Sequence, residues 1–166
     1  MATIDVLMPV RNGVRFLGES IESIIGQTYA DWRLLILDHG SSDGSAELAN
    51  SYAERDGRIR VLSMPTAEHL GGLLNAGLQQ CDCRYVMRHD ADDIALPNRM
   101  ALMNDFYAAN KQYVVVGGEA LMIDSASQAI VPLPTDVRYG VSCCITVPKF
   151  APVCSTRERS YPRPRK

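Results

Sequence analysis

Short apolar runs alternate along this chain with segments whose apolar residues recur every three or four positions. Ile4-Asp5-Val6-Leu7-Met8 is a β-rich run closed by Pro9, and Arg11-Asn12-Gly13 follows as a turn. From about Phe16 the spacing becomes helical: Leu17, Ile21, Ile24 and Ile25 share one face, with Glu19, Glu22 and Gln27 largely opposite. Arg33 to Asp38 is a near-continuous apolar strand of the kind buried on both faces of a parallel sheet.

The same alternation continues downstream. His39 to Ser45 is a polar turn that offers Ser42 or Asp43 as N-cap of a helix carrying Leu48 and Tyr52, ended by Asp56-Gly57. Ile59 to Leu62 is the next strand, Gly71 and Gly72 open a short helix around Leu73, Leu74 and Leu78, and Tyr85 to His89 is the fourth strand. Pro97 suits the first turn of a helix marked by Leu102, Met103 and Phe106. Val114-Val115-Val116 and Leu121-Met122-Ile123 are two further strands, and Val141 to Ile145 has the composition of another.

Strands alternating with helices specify an α/β domain with a mostly parallel sheet and right-handed crossovers. Ligands bind such sheets outside the carboxyl ends of the strands. The polar clusters at 9–12, 38–43 and 90–93 each lie at such an end, so the fold can bring them together.

Composition narrows the function. With 166 residues, 46% of them hydrophobic, the chain fits one well-buried domain. The net charge of -2 hides an arginine- and proline-rich ending, Arg157 to Lys166, that reads as disordered; the remainder is mildly acidic and carries no nucleic-acid footprint. The five cysteines, Cys81, Cys83, Cys143, Cys144 and Cys154, lack the paired spacing of a structural zinc site and fit reduced thiols. No basic, apolar leader and no membrane-length apolar stretch is present, so the expected location is cytoplasmic, with peripheral association at the inner face of the membrane left open.

The candidate chemistry lies in Arg88-His89-Asp90-Ala91-Asp92-Asp93. Carboxylates this close raise one another's pKa, and a divalent cation is the partner that keeps them ionised. Hard oxygen ligands suit Mg²⁺ or Mn²⁺, which share their remaining positions with water and substrate phosphates. The plain alternative is a turn and a helix cap, a role equally open to Asp93.

Four ordered segments carry a resemblance: Asp5 to Gly13, Ser20 to Thr28, Leu37 to Gly44, and Arg88 to Asp93 followed by Leu96-Pro97-Asn98-Arg99. Together they resemble the family 2 glycosyltransferases of GT-A fold, a Rossmann-like, mostly parallel sheet flanked by helices. The likeness covers residues 1–136 as a nucleotide-sugar-binding domain, leaving 137–166 as a divergent tail.

The resemblance implies inverting, metal-dependent transfer of a sugar from a nucleotide-diphosphate donor, a UDP-sugar first, to an acceptor hydroxyl in cell-surface polysaccharide synthesis. The acceptor is an unspecified saccharide or lipid-linked group. Asp92 matches the ligand for Mn²⁺ or Mg²⁺, and Asp90 the acid that helps hold metal or ribose. Pro9, Val10 and Asn12 match the segment along the nucleotide. Asp38 and His39 stand where paired acids are usual, the second of which commonly bonds the base. Arg88 matches a residue that orients Asp90 or a phosphate oxygen, and Gly71 and Asn75 match the stretch near the donor.

An inverting transferase also needs a general base. Downstream of Asp93 the acids are Asp105, Glu119, Asp124, Asp136 and Glu158, and none forms a Glu-Asp pair. The catalytic base is therefore unassigned, and the ending reads as truncated or frame-shifted. Three readings stay open: a transferase, a module that binds a metal-nucleotide complex, and an inactive fragment.

Overall fold

The computed structural model describes residues 3–113, 115–117, 123–124, 126–128 and 143–145. Four parallel strands form the body of a six-stranded sheet. They are β1 (Ile4–Val10), β2 (Trp32–Asp38), β3 (Ile59–Ser63) and β4 (Tyr85–Arg88), with β5 (Val115–Gly117) and β6 (Cys143–Ile145) beyond them in the order β3-β2-β1-β4-β6-β5. Only β6 runs against its neighbours. The mostly parallel α/β architecture expected from the sequence is the one observed.

The helices are α1 (Val14–Ile25), α2 (Ser45–Ala53), α3 (Leu70–Leu78) and α4 (Arg99–Ala109). Strand periodicity divides the core between two faces. Val6, Met8, Leu34 and Ile36 pack with α1, α2 and Met100 of α4. Leu7, Leu35, Leu37 and Val86 pack with α3. Helix α3 sits so close that a Cβ on Gly77 would lie 2.5 Å from a methyl of Leu37.

Several boundaries differ from expectation. Pro9 lies inside β1 instead of closing it. Leu7 accepts the His89 amide on the β4 side while Val10 accepts the His39 amide on the β2 side. Residue 9 shares the β4 side with Leu7, and β4 pairing has already ended at Leu7–Arg88, so its missing N–H breaks no ladder. Gly44, in the left-handed region with φ 95°, is the N-cap of α2 instead of Ser42 or Asp43.

Asn98 takes the N-cap of α4, which leaves Pro97 ahead of the helix; the Pro97 carbonyl accepts the Thr28 amide at 2.8 Å. Leu102 and Phe106 face solvent, and Met100 and Tyr107 supply the buried face, Tyr107 stacking on Tyr85 at 4.9 Å. The strand expected at 121–123 contributes only a bridge at Ile123, with 121 and 122 outside the described residues. The ending, 157–166, also lies outside them.

Candidate functional site: a groove at the carboxyl ends of three strands

The ends of β1, β2 and β4 wall one open groove of about 530 Å³. Pro9, Val10 and Asn12 come from β1 and its turn, His39 from β2, and Arg88, Asp90 and Asp92 from the end of β4. Phe16 of α1 and Leu70 and Leu73 of α3 add an apolar wall, and Arg11 an exposed cation. Asp38 is set back, 4% exposed, its carboxylate accepting the Ser41 amide. Asn75 is exposed on α3, and Gly71 is exposed at the start of the same helix; neither is part of the groove wall.

The β1–α1 turn is held by the loop after β2. Asn12 adopts φ 53°, a conformation Asn tolerates better than most residues. Its Oδ1 accepts the Ser42 amide at 2.8 Å. The amides of Asn12, Gly13 and Val14 donate to Ser41 Oγ, Ser45 Oγ and Asp43 Oδ2, each at 3.0 Å. The Asp43 carboxyl is held below its usual range, chiefly by the Ser45 hydroxyl and then by the Val14 amide.

His39 is half-buried, and its Nε2 lies 2.6 Å from the Ala67 carbonyl. A carbonyl only accepts, so Nε2 carries a proton, and in the tautomer with no second proton Nδ1 is left as an acceptor. Deprived of its Nε2–H by Ala67, the imidazole offers a ligand an acceptor atom as a carboxylate would.

The acidic loop is anchored from behind by residues whose role was not apparent from the sequence. His89 is fully buried. Arg99 reaches its Nδ1 at 3.1 Å, and because a guanidinium only donates, the His89 proton must sit on Nε2. That nitrogen faces Ser20 Oγ at 3.1 Å, and the Ser20 hydroxyl donates to the Asp90 carbonyl at 3.1 Å. Burial and the Arg99 charge push the His89 pKa down to about 4, which keeps the ring neutral.

Further along, Ser23 Oγ accepts the Ala95 amide at 3.0 Å, while Gln27 bonds the Leu96 carbonyl and the Met100 amide. The Ser20, Ser23, Gln27 and Thr28 side chains of the Ser20–Thr28 segment therefore fasten α1 and the loop after it to the loop between β4 and α4.

Within that loop, Arg88 grips Asp90 through two bonds of 2.8 Å. Asp92 is exposed and takes no hydrogen bond or ion pair among the described residues. Asp93 does not cap α4, as one expectation had it; its amide closes a turn on the Asp90 carbonyl. Its carboxyl is pushed upward by local burial and then by the Asp90 and Asp92 charges, even though the residue borders solvent. The hard oxygens of Asp90 and Asp92 suit Mg²⁺ or Mn²⁺. No group of three His, Cys, Asp or Glu side chains that could hold a metal is present among the described residues. None of the described helices is long and apolar enough to cross a membrane.

A parallel sheet whose strand ends form a polar groove with an acidic turn defines an α/β domain of GT-A type. The Glycosyl transferase family 2 model matches residues 5–125, and the chain belongs to that family. EpsE of Bacillus subtilis, a glycosyltransferase by name, is 35% identical over 73% of this chain and 44% of its own length. The chain thus spans less than half of that relative. Staphylococcus aureus TarS 1-349, solved in complex with UDP-GlcNAc, superposes with a TM-score of 0.63 at 18% identity, covering 72% of this chain and 37% of that TarS chain. The mannosyltransferase PcManGT from Pyrobaculum calidifontis, solved with GDP-Man and Mn²⁺, gives 0.58 at 21% identity over 73% of this chain and 35% of its own.

Proposed function

We propose that this chain is the donor-binding part of a glycosyltransferase that takes a sugar, with inversion, from a UDP-sugar and passes it to a saccharide or lipid-linked hydroxyl. The observation that carries the reading is the meeting of three strand ends, distant in sequence, in one groove of about 530 Å³. Family membership supports the reaction class, and the complex of TarS with UDP-GlcNAc supports the donor class.

In this reading the nucleotide lies along Pro9, Val10 and Asn12, with the base toward His39 and the diphosphate toward Arg88, Asp90 and Asp92. Asp38 acts by shaping the turn that carries His39. Asp92, with Asp90, holds Mn²⁺ or Mg²⁺, as the Mn²⁺ complex of PcManGT supports. A bound cation there neutralises charge on the leaving diphosphate as a Lewis acid. The Asn12, Gly13 and Val14 amides of the β1–α1 turn are already taken by Ser41, Ser45 and Asp43, so these three leave that charge to cations.

Calorimetric titration of the 166-residue chain with UDP should show binding that requires Mn²⁺ or Mg²⁺ and weakens at least tenfold in Asp92→Ala. Metal-independent binding would count against the assignment.

A second reading, a module that binds the metal-nucleotide complex without transfer, is favoured by Asp105 and Asp124, the two downstream acids among the described residues; Glu119, Asp136 and Glu158 lie outside them. Asp105 is not part of the groove wall, and the Asp124 carboxylate closes its own turn by accepting the Ala126 and Gln128 amides. Release of free sugar or transfer to an added acceptor by this chain would exclude it.

A further inference from the structure

We propose that Arg88 is the resident counter-ion of the acidic turn and that it exchanges Asp90 for a donor phosphate when a divalent cation enters, so that metal and nucleotide bind cooperatively. The inference rests on the metal-diphosphate reading of the groove and adds to it a mechanism of coupling.

The geometry is specific. Both oxygens of Asp90 are engaged, Oδ1 by Arg88 Nε and Oδ2 by Arg88 Nη2, each at 2.8 Å, whereas Asp92 is open. Arg88 is the last residue of β4, paired with Leu7 of β1, and its carbonyl lies 3.5 Å from the Arg99 guanidinium. The backbone is therefore fixed while the side chain can swing. A divalent cation that takes Asp90 through the lone pairs now held by Arg88 displaces at least one of the two bonds. The released guanidinium remains in the groove wall and presents a fork that fits phosphate oxygens as well as it fits a carboxylate.

The consequence is thermodynamic. Without nucleotide, a metal entering this way displaces Arg88 from Asp90, and it binds weakly. With nucleotide, Arg88 gains a phosphate as its new partner, and the metal no longer bears the cost of opening the pair. Because linkage is reciprocal, the metal strengthens nucleotide binding by the same factor.

The experiment measures Mn²⁺ affinity from the free-Mn²⁺ electron paramagnetic resonance signal, with and without saturating UDP. It compares wild type, Arg88→Met, Arg88→Lys and, as a charge control in the same groove, Arg11→Met. Without UDP, Arg88→Met should bind Mn²⁺ about three- to tenfold more tightly than wild type, the modest range set by the solvent exposure of the pair. With UDP the gain should disappear, so the coupling factor falls. Arg88→Lys, which keeps the charge and loses the fork, should fall between the two.

An unchanged or weaker Mn²⁺ affinity in Arg88→Met would overturn the exchange. So would an equal gain in Arg11→Met, or an Arg88→Lys value equal to wild type, since either assigns the effect to net charge. If wild type binds Mn²⁺ with UDP and Asp92→Ala abolishes it while Arg88→Met shows no gain, the exchange alone falls. If wild type binds no Mn²⁺ even with UDP, the metal-diphosphate reading falls with it.

Discussion

Replacing Ser20 by Ala removes one oxygen from the back of the groove and tests whether the buried chain from Arg99 to Asp90 positions the acidic turn. Ser20 is 1% exposed and His89 is fully buried. The hydroxyl oxygen joins His89 Nε2 and the Asp90 carbonyl, both at 3.1 Å. Its loss leaves the buried His89 N–H unpaired, at about 1 kcal/mol or somewhat more, while the Asp90 carbonyl keeps the Asp93 amide and loses only its second bond, at about 0.5 kcal/mol. The better helix propensity of Ala returns a few tenths of about 1 kcal/mol. The net expectation is a loss of about 1 kcal/mol, read in urea denaturation as a lower midpoint at unchanged slope.

Ser51→Ala is the matched control, because Ser51 Oγ only bonds the Leu48 carbonyl of its own helix, and it should change stability by less than about 0.5 kcal/mol. In Ser20→Ala the Mn²⁺-dependent affinity for UDP should also fall, since the Asp90 backbone loses its anchor. A Ser20→Ala protein as stable as Ser51→Ala, with UDP affinity intact, would refute the positioning argument.

Two further perturbations bear on the fold and on base recognition. Asp5 is fully buried, held by Arg33 through bonds of 2.7 and 2.9 Å and by the Asp82 and Cys83 amides; burial raises its pKa, but Arg33 and the Cys83 amide outweigh that and set it below the usual value. With the folded pKa depressed, its stabilisation is present above about pH 4 and lost as pH falls through the folded value. Asp5→Asn should therefore cost about 3 kcal/mol at neutral pH and lose less on acidification than wild type; parallel acid curves would contradict this. His39→Asp breaks the bond to Ala67 and exchanges a ring acceptor for a carboxylate, so the ranking of UDP against GDP in competition titrations should change, and an unaltered ranking would remove His39 from base reading.

The sheet was legible because its signals are local. Leu34 to Leu37 are all fully buried, as a continuous apolar run in a parallel strand requires. Boundaries set by tertiary contacts were not legible: Pro9 stays within β1 only because β4 has already ended beside it, and Leu102 and Phe106 follow a helical spacing yet face outward. In the site, the acidic turn and its neighbours His39 and Asn12 could be read from residue type. The anchors could not, since Ser20, Ser23 and Gln27 look like ordinary polar positions until the fold sets them against residues about 70 positions downstream.

One absence in the sequence and one contact in the structure have a common explanation. Pro9-Val10-Arg11-Asn12-Gly13 lacks the glycine pattern by which a dinucleotide-binding turn exposes helix amides to a pyrophosphate. In the folded chain the corresponding amides of Asn12, Gly13 and Val14 are closed off by Ser41, Ser45 and Asp43, and Asp43 brings a negative charge to the same helix end. A diphosphate in this groove therefore finds these three amides taken and draws its positive charge from elsewhere. Among the described residues, Arg11 and Arg88 are the cations of the groove wall, and Arg88 is already paired with Asp90. That shortage of available positive charge is the electrostatic reason to place a divalent cation at Asp92, and the reason the Arg88–Asp90 pair should open when one arrives.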